Sequence, residues 1–271
     1  MKILIVGAGG FLGSAMRSLI VGHEIMSVTR QDLDLLDYHA VTQLLSNEHF
    51  DWIINCAVDG RYKIHDTNPA IVANNLQMFC NLYTNLDKVK MGMISFGSGA
   101  EFGIDRAIDR AKESDIWHYM PTHSYGHSKN MIARLSTLQP KCYTVRIFGC
   151  FGPTEDYRRP IKKLSECLKQ HKPFVVDQDR WFDMISVTDL VNVVQYILTG
   201  ACGYRDVNAV YNQKTRLSDI FRVYCNMHGA DPNLVQVLAS DGLSYTGSSD
   251  RLDTLNLPLL GLKKSLEMYG K

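Results

Sequence analysis

Lys2-Ile3-Leu4-Ile5-Val6-Gly7-Ala8-Gly9-Gly10-Phe11-Leu12-Gly13 is the stretch on which the fold turns. Lys2–Val6 reads as a buried strand, Phe11–Ile20 as a helix, and the glycines lie between them. In that setting Gly7 allows a tight turn and Gly10 lets backbone amides approach a pyrophosphate. Gly13 lets the helix pack closely on the sheet. The helix start, with Phe11 and Leu12, supplies unpaired N–H groups and a partial positive charge for an anion. Glycines also mark plain turns. Their place directly after a buried N-terminal strand is what favours a dinucleotide loop.

Outward from this loop, strand and helix signals alternate. Glu24–Val28, Asp51–Cys56, Met91–Phe96 and Cys142–Phe148 read as strands. Tyr38–Ser46, Pro69–Leu86 and Ser124–Leu138 read as helices. Short apolar runs separated by helices predict an α/β fold, a doubly wound parallel Rossmann sheet covered on both faces. After Gly152-Pro153 the pattern loosens. Strands at Phe174–Val176 and Met184–Val187 and helices to Gln170, at Asp189–Leu198 and at Leu217–Met227 predict a smaller mixed α/β lobe. The expected division is 1–152 for the dinucleotide-binding unit and 153–271 for the substrate lobe. The boundary is soft, and later elements can return to the main sheet.

The 271 residues are 45% hydrophobic and 21% charged, with a net charge of +1. That balance argues against a polyanion-binding surface and so against a nucleic-acid partner. Cys56, Cys80, Cys142, Cys150, Cys167, Cys202 and Cys225 form no CxxC pair, so they read as idle thiols in a reducing cytosol rather than a metal site. No apolar stretch reaches about 18 residues, and the strand beginning at Lys2 leaves no room for a signal peptide. The expected location is cytoplasmic, with no membrane span.

Residues at the end of the second strand bear on the cofactor. An acidic side chain there would bond a ribose 2′-hydroxyl. Here Val28-Thr29-Arg30 offers a guanidinium, which can pair with a 2′-phosphate. Arg30 thus favours NADP(H), with NAD(H) as the alternative; a solvated surface arginine is the competing reading. Asp34, in Leu33-Asp34-Leu35, sits where a carboxylate can accept from an adenine amino group, or can cap the loop before the next helix.

Tyr125-Gly126-His127-Ser128-Lys129 puts a phenol and an ammonium four residues apart on one helix face. A phenol titrates near 10, and a neighbouring ammonium stabilises its phenolate, so Tyr125 can exchange a proton at neutral pH. Ser98 runs off the end of the fourth strand, at the edge where open α/β sheets bind ligands. It can bond a substrate oxygen and share a proton with Tyr125. Ser95 is the rival serine, placed within or nearer to the strand.

Together these residues resemble the extended short-chain dehydrogenase/reductase family, the NAD-dependent epimerase/dehydratase group that acts on nucleotide sugars. Asn55-Cys56-Ala57 is similar to the family's turn beside the cofactor, which places Cys56 and Ala57, with Leu35, among cofactor contacts. Asn75-Leu76, Arg146-Ile147-Phe148, Phe151-Gly152-Pro153 and Phe182-Asp183-Met184-Ile185-Ser186-Val187-Thr188-Asp189 also match family segments. The N-terminal region is similar to GDP-fucose synthases and other 4-keto-sugar reductases, including the arginine that meets the NADP phosphate. Departures are informative. Ala100 stands where those synthases have a cysteine, and Pro153–Ile161 lacks their histidine. Gly99-Ala100 replace the Asp-Glu pair of 4,6-dehydratases, Phe182 replaces an arginine, and Gly149 an asparagine.

The resemblance implies an NADPH-dependent reductase of a 4-keto nucleotide sugar, with Ser98, Tyr125 and Lys129 as its catalytic set. Arg158, Arg159, Arg180 and Arg251 are the candidates for the substrate diphosphate. An NAD-dependent 4-epimerase is the alternative, and a non-catalytic dinucleotide-binding regulator ranks below both. The family also implies a homodimer through the Pro69–Leu86 and Ser124–Leu138 helices. Met78, Phe79, Leu82, Met131 and Leu135 could face the partner or the core.

Overall fold

The apolar N-terminal run forms β1 (Lys2–Val6), whose residues Ile3 to Val6 have no exposed surface. The computed structural model describes residues 1–59 and 67–269. After β1 the chain alternates through α1 (Phe11–Leu19), β2 (Glu24–Val28), α2 (Tyr38–Asn47), β3 (Trp52–Asn55), α3 (Pro69–Tyr83) and β4 (Gly92–Ser98). Then come β5 (Ile108–Ala111), α4 (Ser124–Thr137), β6 (Cys142–Ile147), β7 (Cys150–Phe151) and α5 (Pro160–Lys169). The second half continues with β8 (Phe174–Gln178), β9 (Trp181–Phe182), β10 (Ile185–Ser186), α6 (Val187–Leu198) and β11 (Asp206–Asn208). It closes with β12 (Thr215–Arg216), α7 (Leu217–Met227), β13 (Val235–Ala239), β14 (Tyr245–Gly247), α8 (Asp250–Thr254) and α9 (Gly261–Met268).

Six parallel strands form the main sheet in the order β11-β6-β4-β3-β1-β2. From β1 the chain moves outward to β2, then crosses back to β3 on the other side. That reversal opens a crevice beyond the carboxyl ends of β1 and β3, where ligands of such sheets bind. Alternation along β1 serves two cores. Ile3 and Ile5 join Met16 of α1 and Val191 and Val194 of α6 on one face. Leu4 and Val6 join Val41, Leu45, Phe79, Leu82 and Ile132 from α2, α3 and α4 on the other. Phe79 and Leu82 are therefore core residues rather than surface offered to a partner.

The second half gives two elements back to the sheet, as the soft boundary allowed. α6 covers one face and β11 pairs with β6 as the sixth strand. The remainder builds a lobe with its own core of Ile161, Leu164, Phe174, Phe221 and Leu266. A four-stranded sheet, β12-β9-β14-β5, joins β5 from the first half of the chain to three strands of the second. None of its strands is expected from local pattern. Most boundaries shift by a residue or two from expectation, and three of the shifts have a visible cause or consequence. α3 stops at Tyr83 instead of Leu86, because Thr84 Oγ1 and Asn85 Nδ2 bond the carbonyls of Cys80 and Asn81 and compete with helix propagation. The strand expected at Met184–Val187 is only Ile185–Ser186, because the Ser186 hydroxyl accepts from Asp189 N and starts α6 at Val187. β4 runs two residues beyond Phe96, which carries the backbone to Ser98.

Candidate active site

The cleft at the β1/β3 reversal has a volume of about 360 Å³. Gly7, Gly9 and Gly10 line one side, Thr29, Arg30, Asp34 and Leu35 the far end, and Cys56, Ala57 and Asp59 the other side. Gly7 adopts φ +73, and a Cβ there would lie 2.6 Å from the Ala57 amide. The loop and the β3 turn are thus in backbone contact, which only glycine permits. Gly10 caps α1 without a side-chain bond, and no acidic residue occupies the first turn. Among the described residues, the amides of Phe11, Leu12 and Gly13 have no backbone acceptor, so the helix start is left open to an anion. This cradle fits the pyrophosphate of a dinucleotide.

Gly13 does not line the cleft. A Cβ there would stand 2.3 Å from the Gly7 carbonyl oxygen, inside the loop's own backbone. Gly13→Ala is therefore expected to push the loop off its seat and weaken dinucleotide binding roughly tenfold or more. Fluorescence titration with NADPH reads this directly, and unchanged affinity would remove the loop from the binding site.

At the far end of the cleft lies the turn after β2, with Thr29, Arg30 and Asp34 in its lining. Asp32 Oδ2 accepts from both the amide and the hydroxyl of Thr29 and holds the turn after β2. Arg30, the next residue, is exposed and makes no ion pair among the described residues. Asp34 lines the cleft, while its Oδ1 accepts from Leu36 N. Asp37 is the actual cap of α2. On the β3 side, Asn55 Oδ1 accepts from Ala57 N and shapes the turn that presents Cys56 and Ala57.

Ser98 ends β4, and Tyr125 and Lys129 lie one turn apart at the start of α4. Ser95, the rival, is buried within the strand, where its hydroxyl accepts from Asn55 Nδ2. The Lys129 ammonium is buried and donates to the Phe96 carbonyl at 2.8 Å. Burial pulls its pKa below the ordinary lysine range, while the Glu101 carboxylate and the Cys56 thiol oppose that shift. Burial pushes the Cys56 thiol up, against the nearby Lys129 charge. Lys129 thus stands close to Cys56 of the cleft wall and one helical turn from Tyr125.

Four residues that escape a local reading hold this arrangement. Asn75 Nδ2 bonds Ser128 Oγ and the Asp59 carbonyl, tying α3 and the cleft wall to α4. Asn130 Nδ2 donates to the carbonyls of Glu101, Ile116 and Tyr119 and so pins the segment after β4 onto α4. Glu101 Oε1 accepts from Ser98 N, and its Oε2 accepts from Arg146 Nε at 2.5 Å. The fourth, Tyr245 on β14, rests its ring against the backbone directly after Ser98, where a Cβ on Gly99 would lie 2.7 Å from its Cζ. Only the Asn75 position carried a signal, through the family segment it matches.

Of the four arginines expected near the substrate, three are engaged by carboxylates. Arg158 pairs with Asp156, and Arg159 pairs with Glu155 while lying 4.6 Å from the Phe11 ring centroid. Arg251 is held by Asp206 on the edge strand β11 and by Glu113, and it packs on Tyr204. Arg180 makes no ion pair among the described residues and bonds only Gln178 Oε1 through its side chain.

An arrangement of this kind belongs to the short-chain dehydrogenase/reductase class of dinucleotide enzymes. The chain is a member of the NAD dependent epimerase/dehydratase family, whose model matches residues 3–209. It is accordingly an NAD(P)-dependent oxidoreductase of the extended type. No curated protein matches the sequence. Among solved structures, a dTDP-4-dehydrorhamnose reductase from Clostridium acetobutylicum superposes with TM-score 0.82 at 22% identity, over 99% of this chain and 98% of that one. A GDP-L-fucose synthetase from Naegleria fowleri gives 0.80 at 15% identity, over 98% and 90%. A UDP-glucose 4-epimerase from Thermus thermophilus in complex with NAD gives 0.79 at 17% identity, over 99% and 97%. Among the described residues, no helix is long and apolar enough to cross a membrane.

Proposed function

We propose that the protein is an NADPH-dependent reductase of a 4-keto nucleotide sugar. The observation that carries this reading is the state of the carboxylate nearest Ser98. Glu101 is fully buried and committed to Ser98 N and Arg146, so the carboxylate beside Ser98 is not available as an acid or base for elimination. What is left suits a single reduction. The nicotinamide, when bound, supplies the hydride. The Tyr125 hydroxyl gives its proton to the ketone oxygen, and the Ser98 hydroxyl donates a hydrogen bond to the same oxygen. The Lys129 ammonium stabilises the phenolate that remains. Arg180 is the arginine with donors to spare for a substrate phosphate.

Arg30 carries the cofactor preference. Removing a charge-assisted contact to a 2′-phosphate costs about 1.5–3 kcal/mol. Arg30→Gln is therefore expected to raise the Kd for NADPH by about 10- to 100-fold and leave NADH binding unchanged. Equal losses for both cofactors would place Arg30 away from the phosphate.

Absorbance at 340 nm with NADPH and a panel of 4-keto-6-deoxy nucleotide sugars tests the whole reading. Oxidation with at least one is expected, and none with any would overturn it. Protein that purifies with NAD and ignores NADPH would point instead to the 4-epimerase.

A further inference from the structure

We propose that His123 is a positioning residue for Tyr125 and the acid switch of this site: its neutral ring caps α4, and taking up a proton releases the turn that carries the phenol. The proposal rests on the reading of Tyr125 as the proton donor to the ketone. His123 is the N-cap of α4 and is buried, and its Nδ1 accepts from the Gly126 amide at 3.1 Å. A backbone amide can only donate, so Nδ1 carries a lone pair there and the ring's proton sits on Nε2. A serine or asparagine cap keeps its acceptor at every working pH, whereas a histidine keeps it only while neutral. Proton uptake at Nδ1 sets a donor against a donor and a cation against the positive end of the helix.

Tyr125 lies between the cap and Gly126, so the phenol rides on the turn that this bond closes. The same ring touches the segment that carries Ser98. A Cβ on Gly126 would lie 2.7 Å from His123 Nε2 and 2.5 Å from the carbonyl oxygen of Ala100, two residues after Ser98. The cap, Gly126 and the turn after Ser98 therefore meet at one point, with no room for a methyl group. Losing the bond loosens Tyr125 relative to Ser98.

The charged and titratable groups around this turn have bonds of their own. Glu101 is taken by Ser98 N and Arg146, and Lys129 donates to the Phe96 carbonyl. Arg134 donates to the carbonyls of Ile116 and Tyr119, and the Tyr119 hydroxyl donates to Asp105. Glu113 and Asp115 accept from the amides of Asn208 and Lys112, and His118 stands on the surface beside Asp115. The first turns of α3, which share a cleft with Thr122, Ser124 and His127, bring no titratable group among the described residues. His127 Nδ1 donates to the Pro121 carbonyl, a bond that protonation keeps. Neither Tyr125 nor Lys129 explains a loss toward acid, because both are more fully protonated there, as reduction requires. The fold uses the neutral ring of His123. Its contribution to stability is therefore complete above the ordinary histidine value of about 6.5 and is lost as the pH falls below it.

In the parent, kcat for keto-sugar reduction is expected to fall as the pH drops below about 6.5. His123→Asn keeps an acceptor that does not titrate. It should hold kcat within about threefold of the parent at about pH 8 and move the acid limb down by at least about one pH unit. His123→Ala removes the acceptor at every pH and should lower kcat about tenfold at about pH 8, with no acid limb. An acid limb unchanged in His123→Asn overturns the proposal, and so does a His123→Ala enzyme as fast as His123→Asn. Two readouts need no substrate. In ¹⁵N-histidine spectra of the NADPH complex at about pH 8, the resonances that His123→Asn abolishes should show a bare Nδ1 and a protonated Nε2. From about pH 8 to about pH 5.5, the Tm of the parent should fall relative to that of His123→Asn. A protonated Nδ1, or Tm curves that stay parallel, overturns the cap alone. A panel in which no sugar is reduced overturns the reductase reading alone, and the spectra and Tm curves then decide the cap.

Discussion

Tyr125→Phe should lower kcat by about a thousandfold, within the range of general acid catalysis by a positioned side chain, and leave NADPH affinity nearly unchanged. The size follows from what the hydroxyl is asked to do. A ketone oxygen that accepts hydride becomes an alkoxide unless a proton arrives with it. Ser98 can donate a hydrogen bond to that oxygen but keeps its own proton. On the proposed reading the phenol gives one up, supported by the Lys129 ammonium one turn away. The lysine is held there by its bond to the Phe96 carbonyl. The substitution keeps the ring of a half-buried residue, so packing is barely disturbed. A loss confined to kcat removes an interaction made in the transition state, whereas a rise in KM alone would mark Tyr125 as a binding residue. Stopped-flow traces at 340 nm separate the two. A variant that reduces substrate as fast as the parent would take Tyr125 out of the chemistry.

Local chemistry made half of this site legible before any coordinates. Gly7, Gly10 and Gly13 are contiguous with a buried strand, and Tyr125 and Lys129 are one helical turn apart, so spacing alone puts each group together. Parallel strands separated by helices also follow from local runs, and five of the sheet's six strands are read from them; the edge strand β11 is not. The remainder depends on pairings between distant segments. Thr246 Oγ1 accepts from Arg110 N across 136 positions, and Asn208 Nδ2 donates to the Ala111 carbonyl across 97. β14 is three residues long and contains a glycine, with no alternation to announce it. Tyr245 therefore looks like an ordinary loop tyrosine until β5 and β9 place it. Glu101 is similarly silent, and Arg146, though it falls in a segment that matches the family, gives no sign that its partner is a carboxylate 45 positions away. Arg251 misleads for the converse reason: its charge is visible in sequence, but its partners Asp206 and Glu113 are not.

The second large effect is expected at Glu101, where the cost is structural and the pH response follows from it. Both members of the Glu101–Arg146 pair are fully buried. Arg146 Nη1 also donates to Asn208 Oδ1, its guanidinium lies 5.3 Å from the Phe102 ring centroid, and Nη2 has no partner among the described residues. Such a site tolerates the charges only as a pair. Glu101→Gln preserves an acceptor for Ser98 N but leaves the guanidinium uncompensated. Breaking a buried pair from one side costs about 3–5 kcal/mol. For a chain of this size that is a fall in Tm of roughly 10 °C, readable by calorimetry. Removing the second charge with Arg146→Met should recover part of the loss, because the neutral pair carries no unpaired ion. The same carboxylate raises the pKa of Lys129 against the downward pull of burial. Without it the ammonium loses its proton at a lower pH, and the phenolate at Tyr125 loses its support there. The alkaline fall in kcat of Glu101→Gln should therefore begin at a lower pH than in the parent. An alkaline limb that stays put, in a variant that has lost stability, would separate Lys129 from this carboxylate and confine Glu101 to holding the segment after β4 in place.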